Sequence, residues 1–251
     1  MNVPVIMSIE TATMGGSVWL GGGGEQLATR VGDPKVSQSA SLLQDIDDCL
    51  SEAGVKLAEV DLFACASGPG SFTGLRIGIA TLKALAASLA RPCVGIPTLQ
   101  AVAYAARSSP ATVALLPAGR GEVFAQMFSV SASGIVTDLD TAAHLSPPRL
   151  VERYADLRKL KWAGSGAHVQ REVLERYANE RGIYFLANQR EEVDTEQGGA
   201  IWELASQEPN LAKHVAALAL QLFQSGEIQS PHSLSAIYVR PSDAELNQQC
   251  R

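Results

Sequence analysis

Apolar positions recur along the chain in two patterns. Short apolar runs bounded by turn residues predict strands, whereas apolar residues three and four positions apart predict helices. Over the first 107 residues this predicts three strands, a helix, a strand, a helix, a strand and a helix. The predicted elements span residues 3–9, 15–20, 25–31, 38–53, 61–66, 72–89, 93–96 and 97–107, with the Gly21–Gly24 run as the turn between the second and third strands.

The second half repeats this order more loosely, without a residue-level repeat. Its predicted elements are strands at 111–116, 122–130 and 135–139, a helix from Ser146, a strand at 160–163, a helix at 169–180, a strand at 183–186 and a helix at 211–223. Strands and helices in this order predict two similar lobes, each a mixed sheet flanked by helices, with a cleft between them. The predicted lobes are 1–107, completed by a helix at 211–225, and 108–208, followed by a C-terminal strand or tail at 227–251.

The stretch 66–79 is the clearest local motif. An apolar strand runs into Gly68, Pro69 and Gly70, and a helix follows directly. The glycines supply backbone freedom, and Ser71 or Thr73 can cap the helix by accepting a bond from a free N–H group. Such a turn could receive an anion, but the Walker and nucleophile-elbow patterns are both missing here.

The helix after this turn has almost no polar face. One stripe contains the larger apolar residues Leu75, Ile79, Leu82, Ala86 and Leu89, and a second contains Gly74, Gly78, Thr81, Leu85 and Ser88. The pattern predicts burial on nearly every side, and two explanations of the second stripe stay open: packing within the chain, or a subunit interface. On the interface alternative, a bulky residue at Gly78 or Thr81 would weaken association more than folding.

Composition and charge restrict the function classes. The chain has 251 residues, 46% of them hydrophobic, and a formal net charge of -6, which argues against strong binding to nucleic acid by this chain alone. Neither a signal-like N-terminal segment nor an apolar run of membrane-spanning length is recognised, so we expect a cytoplasmic protein that does not bind membranes. The four cysteines (Cys49, Cys65, Cys93 and Cys250) are widely spaced, which favours buried thiols, and the histidines show no metal-ligand spacing.

Two polar turns are candidate nucleotide-binding elements. Glu10 and Thr11 lie in a hairpin where a carboxylate could hold a metal–nucleotide complex; the alternative is a turn whose hydroxyls bond to the backbone. Gly164 and Gly166 flank a serine after a predicted strand, where they could face a nucleotide or simply form a turn. No metal ligands and no catalytic nucleophile–base pair are identified.

Several segments together resemble the bacterial TsaB (YeaZ) family. Residues 68–78 read GPGSFTGLRIG, and they are followed by ATLKAL at 80–85 and VGIPTL at 94–99. The segments SIETAT at 8–13, RGEVF at 120–124 and IYVR at 237–240 are similar to the family's opening turn, central hairpin and C-terminal motif. The resemblance covers nearly the whole chain and is weakest between residues 130 and 210.

The resemblance implies an α/β fold of the actin-like, hexokinase type, with two related RNase H-like lobes. It also implies a role in making N6-threonylcarbamoyladenosine in tRNA, as a subunit that is not itself the catalyst. The transferase TsaD would be the partner and would carry the metal, and the ATPase TsaE would join them. ATP or ADP, metal and tRNA would then be bound through the complex and not by this chain alone.

The resemblance further implies that helices of the first lobe pair with their counterparts in TsaD, or in a second copy of this chain as a homodimer. The candidate interface residues lie on the two long helices of that lobe: Leu42, Leu43, Ile46, Phe72, Leu75, Arg76, Gly78, Ile79, Thr81 and Leu82. Four sites depart from the family pattern and weaken independent nucleotide binding: Glu10, Ser67, Pro117–Gly119 and Ser37–Ala40.

A different class of function remains as the alternative. The chain would then be an enzyme in its own right, either an actin-fold ATPase or phosphotransferase that uses Glu10 and the turn at Gly164–Gly166, or a peptidase. The peptidase version lacks a nucleophile–base pair and a metal motif in the sequence.

Overall fold

The computed structural model describes residues 3–22, 25–36, 38–187 and 199–239. The chain folds into two compact units, Met1–Ala101 with Pro209–Arg251, and Val102–Glu208. The predicted Gly21–Gly24 turn falls partly outside the described residues, as do Ser37 and Cys250. Within the described part of the chain, no helix combines the length and the apolar character needed to cross a membrane.

The first unit is built on a five-stranded mixed sheet. Its strands are β1 (Val5–Glu10), β2 (Ser17–Gly22), β3 (Glu25–Val31), β4 (Leu62–Gly68) and β5 (Cys93–Pro97). Their order in the sheet is β3-β2-β1-β4-β5. The first three strands are antiparallel in succession, whereas β4 pairs parallel with β1 and β5 parallel with β4. The central strands are buried on both faces, which is why they read as continuous apolar runs.

Helices cover this sheet in the predicted places. They are α1 (Gln38–Ala53), α2 (Phe72–Ser88), α3 (Thr98–Ala105), which contains the boundary between the units, and α7 (Leu211–Ser225). Leu42, Ile46 and Cys49 form one buried face of α1 at helical spacing, and the helix packs on β2 and β3 and beside α2. It ends before Gly54, whose φ of +63° belongs to the left-handed region that favours glycine.

Helix α7 belongs to the first unit although it follows the second unit in sequence. The Ser8 hydroxyl donates to the Ala212 carbonyl (2.6 Å), and the Ala212 N–H donates to the Ser17 hydroxyl (3.0 Å). Asn210 caps the helix and its side chain also donates to Thr29 on β3 (2.9 Å). These bonds connect two buried serines to the first turn of the helix, so α7 completes the first unit.

The second unit repeats the architecture of the first. Its elements are β6 (Ser109–Gly119), β7 (Glu122–Val130), β8 (Val136–Asp138), β9 (Ala143–Leu145), α4 (Pro147–Arg153), β10 (Lys159–Ala163), α5 (Ser165–Val169), α6 (Arg171–Glu180), β11 (Tyr184–Leu186) and β12 (Ile201–Leu204). The sheet order is β11-β12-β10-β6-β7-β8, with β9 paired to β7. Five of these strands, in the order β8-β7-β6-β10-β12, pair as β3-β2-β1-β4-β5 do in the first unit. In both sheets two antiparallel pairs are followed by two parallel pairs, which confirms two related lobes with mixed sheets.

The structure differs from the predicted elements of the second unit in three places. Two short strands, β9 and β12, were not predicted, and the helix expected over 169–180 is two helices that meet at Gln170. The Gln170 side chain is buried and donates to the Gly121 carbonyl (2.8 Å), so this break results from a tertiary contact and not from a local breaker residue. The turn expected at Gly164–Gly166 is the beginning of α5.

Residues 227–239, here called the C-terminal strap, run along the first unit without forming a regular strand. Gln229 makes an isolated antiparallel bridge with Cys93, and the Ile237 N–H donates to the Ser67 carbonyl (2.7 Å). Of the strand or tail predicted at 227–251, residues 227–239 form a tail without a regular strand, and residues 240–251 lie outside the described residues.

Candidate partner-binding surface and the glycine turn

The glycine turn connects β4 to α2 and is built as its residues predict. Gly68 has a φ of +113°, and its peptide bond to Pro69 is cis. Ser71 is the N-cap of α2, since its hydroxyl accepts the Gly74 N–H (3.2 Å). The capping role predicted for Ser71 is confirmed, and the hydroxyl is engaged within the chain.

The neighbouring β1–β2 hairpin fills the space in front of this turn. The Ser71 N–H donates to the Ala12 carbonyl (2.8 Å), and the Thr11 hydroxyl donates to the Gly74 carbonyl (2.8 Å). A Cβ atom on Gly70 would lie 2.5 Å from the Ala12 oxygen, so glycine is needed here for close backbone packing. The chain's own backbone therefore occupies the space in which a phosphate-binding loop would hold an anion.

Glu10 is buried and fully engaged in its own turn. Only 1% of the residue is exposed, one carboxylate oxygen accepts the Thr13 N–H (2.7 Å), and the other accepts the Thr13 hydroxyl (2.6 Å). Burial raises the pKa of Glu10 above its usual range, and the bonds from Thr13 only partly oppose this shift. The Thr11 hydroxyl bonds to the backbone, as the turn alternative expected, whereas the Thr13 hydroxyl bonds to the Glu10 carboxylate, and both carboxylate oxygens are engaged within the turn.

The raised pKa of Glu10 predicts a pH dependence of stability. Ionisation of this group is less favourable in the folded chain than in the unfolded chain. Its contribution is therefore most favourable below the unfolded pKa and falls as the pH rises towards the folded pKa. Glu10→Gln should remove this loss, so that the variant gains stability relative to the wild type between weakly acidic and neutral pH.

Urea unfolding at a series of pH values checks this prediction. Glu25→Gln is the matched control, because Glu25 is exposed on β3 of the same unit. If the free energies of unfolding of the Glu10→Gln variant and the wild type changed equally with pH over this range, ionisation of the Glu10 carboxylate would not destabilise the folded chain.

Gly164 and Gly166 also serve packing. Because they have no side chains, the start of α5 can lie close against β6. A Cβ on Gly164 would lie 2.4 Å from the Leu115 oxygen, and one on Gly166 would lie 2.8 Å from the Leu115 carbonyl carbon. A structural role thus explains each of the four candidate nucleotide-binding residues without a bound nucleotide. They are Glu10 and Thr11 in the first unit and Gly164 and Gly166 in the second.

Potential metal ligands are scattered through the part of the chain that the structure describes. There, no three His, Cys, Asp or Glu side chains come together in a group that could hold a metal ion. Cys49, Cys65 and Cys93 are free and buried, as predicted, and burial raises the pKa of the Cys49 thiol to about 11. A raised pKa keeps a thiol protonated, so Cys49 is a core residue rather than a reactive group.

Helix α2 has a buried face and an exposed face, which corrects the prediction that it is buried nearly all round. The buried residues are Gly74, Leu75, Gly78, Ile79, Leu82 and Ala86. The exposed residues are Phe72, Thr73, Arg76, Ala80, Ala84, Ala87 and Ser88. Arg76 is the one charged residue among these seven, so the solvent-facing side consists mainly of alanine and other uncharged residues. The lack of a polar face in the sequence thus reflects exposed alanines and not complete burial.

The structure separates the ten predicted interface residues into two groups. Six pack inside the first unit, namely Leu42, Ile46, Leu75, Gly78, Ile79 and Leu82. The other four are accessible, with 67% of Leu43 and 37% of Phe72 exposed, Arg76 exposed and Thr81 partly exposed. These six residues, which the family resemblance placed at the interface, are buried in the core of the first unit, and the interface role of the four accessible residues stays a prediction.

Gly78 decides between the two explanations of the small-residue stripe. A Cβ on Gly78 would lie 2.1 Å from the Thr11 hydroxyl oxygen and 3.2 Å from the Thr11 Cβ. The glycine therefore admits Thr11 of the chain's own hairpin, which supports packing within the chain as the explanation of this position. Sequence reasoning had passed over Ala80 and Ala84, although they lie opposite the Leu75–Leu82 stripe and could have been found from that spacing.

A pocket of about 480 Å³ lies at the other end of α2. It is formed by Ala86, Ala87 and Ala90 with Arg91, Pro92 and residues 228–232. The Arg91 guanidinium already pairs with Asp61 (3.3 Å) and donates to the Ala58 carbonyl (3.2 Å). The lining holds no carboxylate, and its ionisable side chains are Arg91 and His232.

Comparisons with known proteins identify the family. The family model "TsaD: tRNA N6-adenosine threonylcarbamoyltransferase" matches residues 36–170, which is more than half of the chain. The tRNA threonylcarbamoyladenosine biosynthesis protein TsaB of Escherichia coli (strain K12) is 34% identical over 155 residues, covering 61% of this chain and 67% of that protein. A tRNA N6-adenosine threonylcarbamoyltransferase of Protochlamydia amoebophila is 46% identical over 61 residues, which are 24% of this chain and 18% of that protein.

A solved structure extends the similarity beyond these segments. YeaZ from Pseudomonas aeruginosa has a TM-score of 0.71 and 26% identity, covering 94% of this chain and 99% of that one. Together with the two sheets of equivalent pairing, this similarity shows the actin-like α/β fold with RNase H-like lobes. The chain belongs to the TsaB (YeaZ) family of tRNA threonylcarbamoyladenosine biosynthesis proteins.

Proposed function

We propose that this chain is a non-catalytic subunit of the machinery that makes N6-threonylcarbamoyladenosine in tRNA. The family assignment supports a role in that modification. In the finer proposal, the chain binds and activates a transferase of the TsaD family, and the ATPase TsaE joins the two. Nucleotide, metal and tRNA are then held by the partners or by the complex.

The exposed face of α2 is the observation that carries this proposal. A solvent-facing helix side normally carries charged residues, whereas here Ala80, Ala84 and Ala87 follow Phe72 and Arg76. Small side chains let a second helix approach closely, and depletion of charge is typical of the central part of an interface. Leu43 on the adjacent helix α1 adds an aliphatic side chain that is 67% exposed.

The polar groups that could have supported an independent enzyme are used elsewhere. Ser71 caps α2, Thr11 bonds to Gly74, and both oxygens of the Glu10 carboxylate bond to Thr13. A formal net charge of -6 also supports tRNA binding through partners instead of through this chain alone. These features support a scaffolding and activating role.

Ala84→Arg should weaken association with the transferase at least about tenfold, because a long charged side chain would prevent close approach to α2. The residue is exposed, so we expect the free energy of unfolding to change by no more than about 0.5 kcal/mol. Isothermal titration of the purified chain with the transferase of the same cell measures the affinity. Ala132→Arg, at an exposed position after β7 in the second unit, is the control and should bind like the wild type. Equal affinities for the wild type and Ala84→Arg would exclude this helix face from the contact.

A further inference from the structure

Strand β5 is the last strand of the first sheet, whereas its counterpart in the second sheet has a further neighbour. In the second unit, β12 corresponds to β5 and pairs with β11 on its outer side. The N–H groups of Cys93 and Gly95 on β5 point away from β4, because alternate residues of a strand bond to opposite neighbours. An open row of such groups can pair with a strand of another chain.

The C-terminal strap lies along this outer edge of β5. The Cys93 N–H donates to the Gln229 carbonyl (3.0 Å), and the Gln229 N–H donates back to the Cys93 carbonyl (2.9 Å). The Gly95 N–H donates to the side-chain oxygen of Gln229 (3.3 Å). Pro97, at the next outward position of the strand, has no N–H group. One residue of the strap therefore satisfies both outward N–H groups of β5.

Further contacts fix the strap in one register along the first unit. The Lys83 ammonium group donates to the Leu234 carbonyl (3.0 Å), and the Ile237 N–H donates to the Ser67 carbonyl (2.7 Å). Leu234 is only 3% exposed, and a Cβ on Gly95 would lie 2.6 Å from the end of its side chain. Leu234 thus fills the space that Gly95 leaves beside β5, and any larger residue at Gly95 would displace it.

Beside Gln229 the strap is held by hydrogen bonds more than by packing. The pocket of about 480 Å³ separates residues 228–232 from the C-terminal end of α2. Ile228 is 47% exposed there, and Gln229 is exposed as well. Since little apolar surface is buried at this point, the bonds of Gln229 to β5 are the contacts that close the edge.

We propose that the C-terminal strap is an edge cap, which prevents β5 from pairing with a strand of another copy of this chain. The strap takes the position that β11 has in the second sheet, but it forms only an isolated bridge with β5. Pro231 and the turn at 231–233 interrupt it, so the strap does not offer a continuous row of backbone groups on its own outer side. This role goes beyond the proposed function, because it concerns the sheet edge and not the exposed face of α2.

The test releases the strap by two substitutions in the full chain. Gln229→Pro removes the N–H group that donates to Cys93 and the side-chain oxygen that accepts from Gly95, and Leu234→Asp places a charge at a buried position. In dilute solution, the Gly95 N–H of this double variant should exchange at least about tenfold faster than in the wild type, as measured by NMR. Sedimentation velocity should show a self-association constant at least about tenfold larger. Ser235→Asp adds the same charge at an exposed strap position, so it is the matched control and should behave as the wild type.

Two further measurements locate the new contact. If the copies pair through β5, a higher protein concentration should slow the exchange of the Gly95 N–H again, and the association should persist in an Ala84→Arg background. If Gly95 stays unprotected in the associated protein, or if Ala84→Arg abolishes the association, the contact lies elsewhere and the proposal is overturned. Unchanged exchange in the double variant, or faster exchange without new self-association, would overturn it too. Should Leu234→Asp prevent folding, Gln229→Pro alone allows the same measurements, because Gln229 is exposed.

Discussion

Gly78→Val should destabilise the first unit by about 2–4 kcal/mol. The new Cβ would lie 2.1 Å from the Thr11 hydroxyl oxygen, so the β1–β2 hairpin would have to move away from α2. Overpacking of this kind costs about 1–3 kcal/mol, and displacing the buried bond from Thr11 to Gly74 adds a comparable amount. Chemical unfolding followed by the fluorescence of Trp19, the tryptophan of β2, measures the change.

The control for this prediction lies two residues further along the same helix. Ala80→Val also introduces a β-branched valine, but Ala80 is exposed. It should cost less than about 1 kcal/mol, which is the helix-propensity difference. A second comparison uses Thr11→Ala, which removes the opposing hydroxyl. The Gly78→Val and Thr11→Ala effects should be clearly non-additive if the two residues are in direct contact. A similar decrease in the free energy of unfolding for Gly78→Val and Ala80→Val would contradict the packing described for α2.

Asp140→Ala should destabilise the second unit by about 3 kcal/mol. The carboxylate accepts the Met127 N–H (2.7 Å), the Arg153 guanidinium (2.9 Å) and the Tyr154 hydroxyl (2.9 Å). Its loss leaves the Met127 N–H and the Tyr154 hydroxyl without this acceptor, whereas Arg153 keeps its bond to the Thr141 carbonyl (3.0 Å). Bonds to a charged acceptor are stronger than neutral ones, and Tyr154 is almost fully buried. Burial and the nearby Asp140 raise the pKa of Tyr154, so its hydroxyl remains a donor through the physiological pH range.

Fluorescence of the second unit provides the readout. Trp162 lies edge-on to Tyr154 (5.9 Å between centroids) and to Trp202 (5.1 Å), so loosening of Tyr154 should change the emission of this pair. A Trp19→Phe background removes the tryptophan of the first unit. Asp138→Ala is the control, because Asp138 is exposed on the neighbouring strand β8. Equal stability of the Asp140→Ala and Asp138→Ala variants would show that the three bonds do not hold this unit together.

Local patterns predicted most of the fold because the main elements are long and clearly periodic. The Leu75–Ile79–Leu82–Ala86 spacing identified the core face of α2, and the turn chemistry placed its cap at Ser71. The missed strands β9 and β12 have only three and four residues, too few for a reliable alternation. Pairing with β7 and β10, which are distant in sequence, determines them.

The candidate site was less predictable for two physical reasons. Periodicity shows which residues share a helix face, but not whether that face meets the chain's own hairpin or a partner, and Gly78 could be assigned only from its approach to Thr11. Burial also decides what a polar residue does. Glu10 reads as a candidate ligand in sequence, whereas its engagement by Thr13 appears only when the turn is folded.

Tyr238 could not be assigned to the surface from its local sequence. Its position beside Phe72 depends on bonds between the strap and residues far away in the chain, such as the contact of Ile237 with Ser67. Contacts of this kind have no local pattern, because nothing in the segment itself specifies where it docks. The position of Tyr238 beside Phe72 is therefore supplied by tertiary structure alone.

The central claim is that this chain acts in tRNA modification through association and not through its own chemistry. The most direct test measures N6-threonylcarbamoyladenosine in the tRNA of cells that lack the gene and carry either the wild type or Ala84→Arg. We predict that the wild type restores the modified nucleoside, whereas a folded Ala84→Arg protein at equal abundance restores much less. Normal levels of the modified nucleoside in cells without the gene would contradict the account.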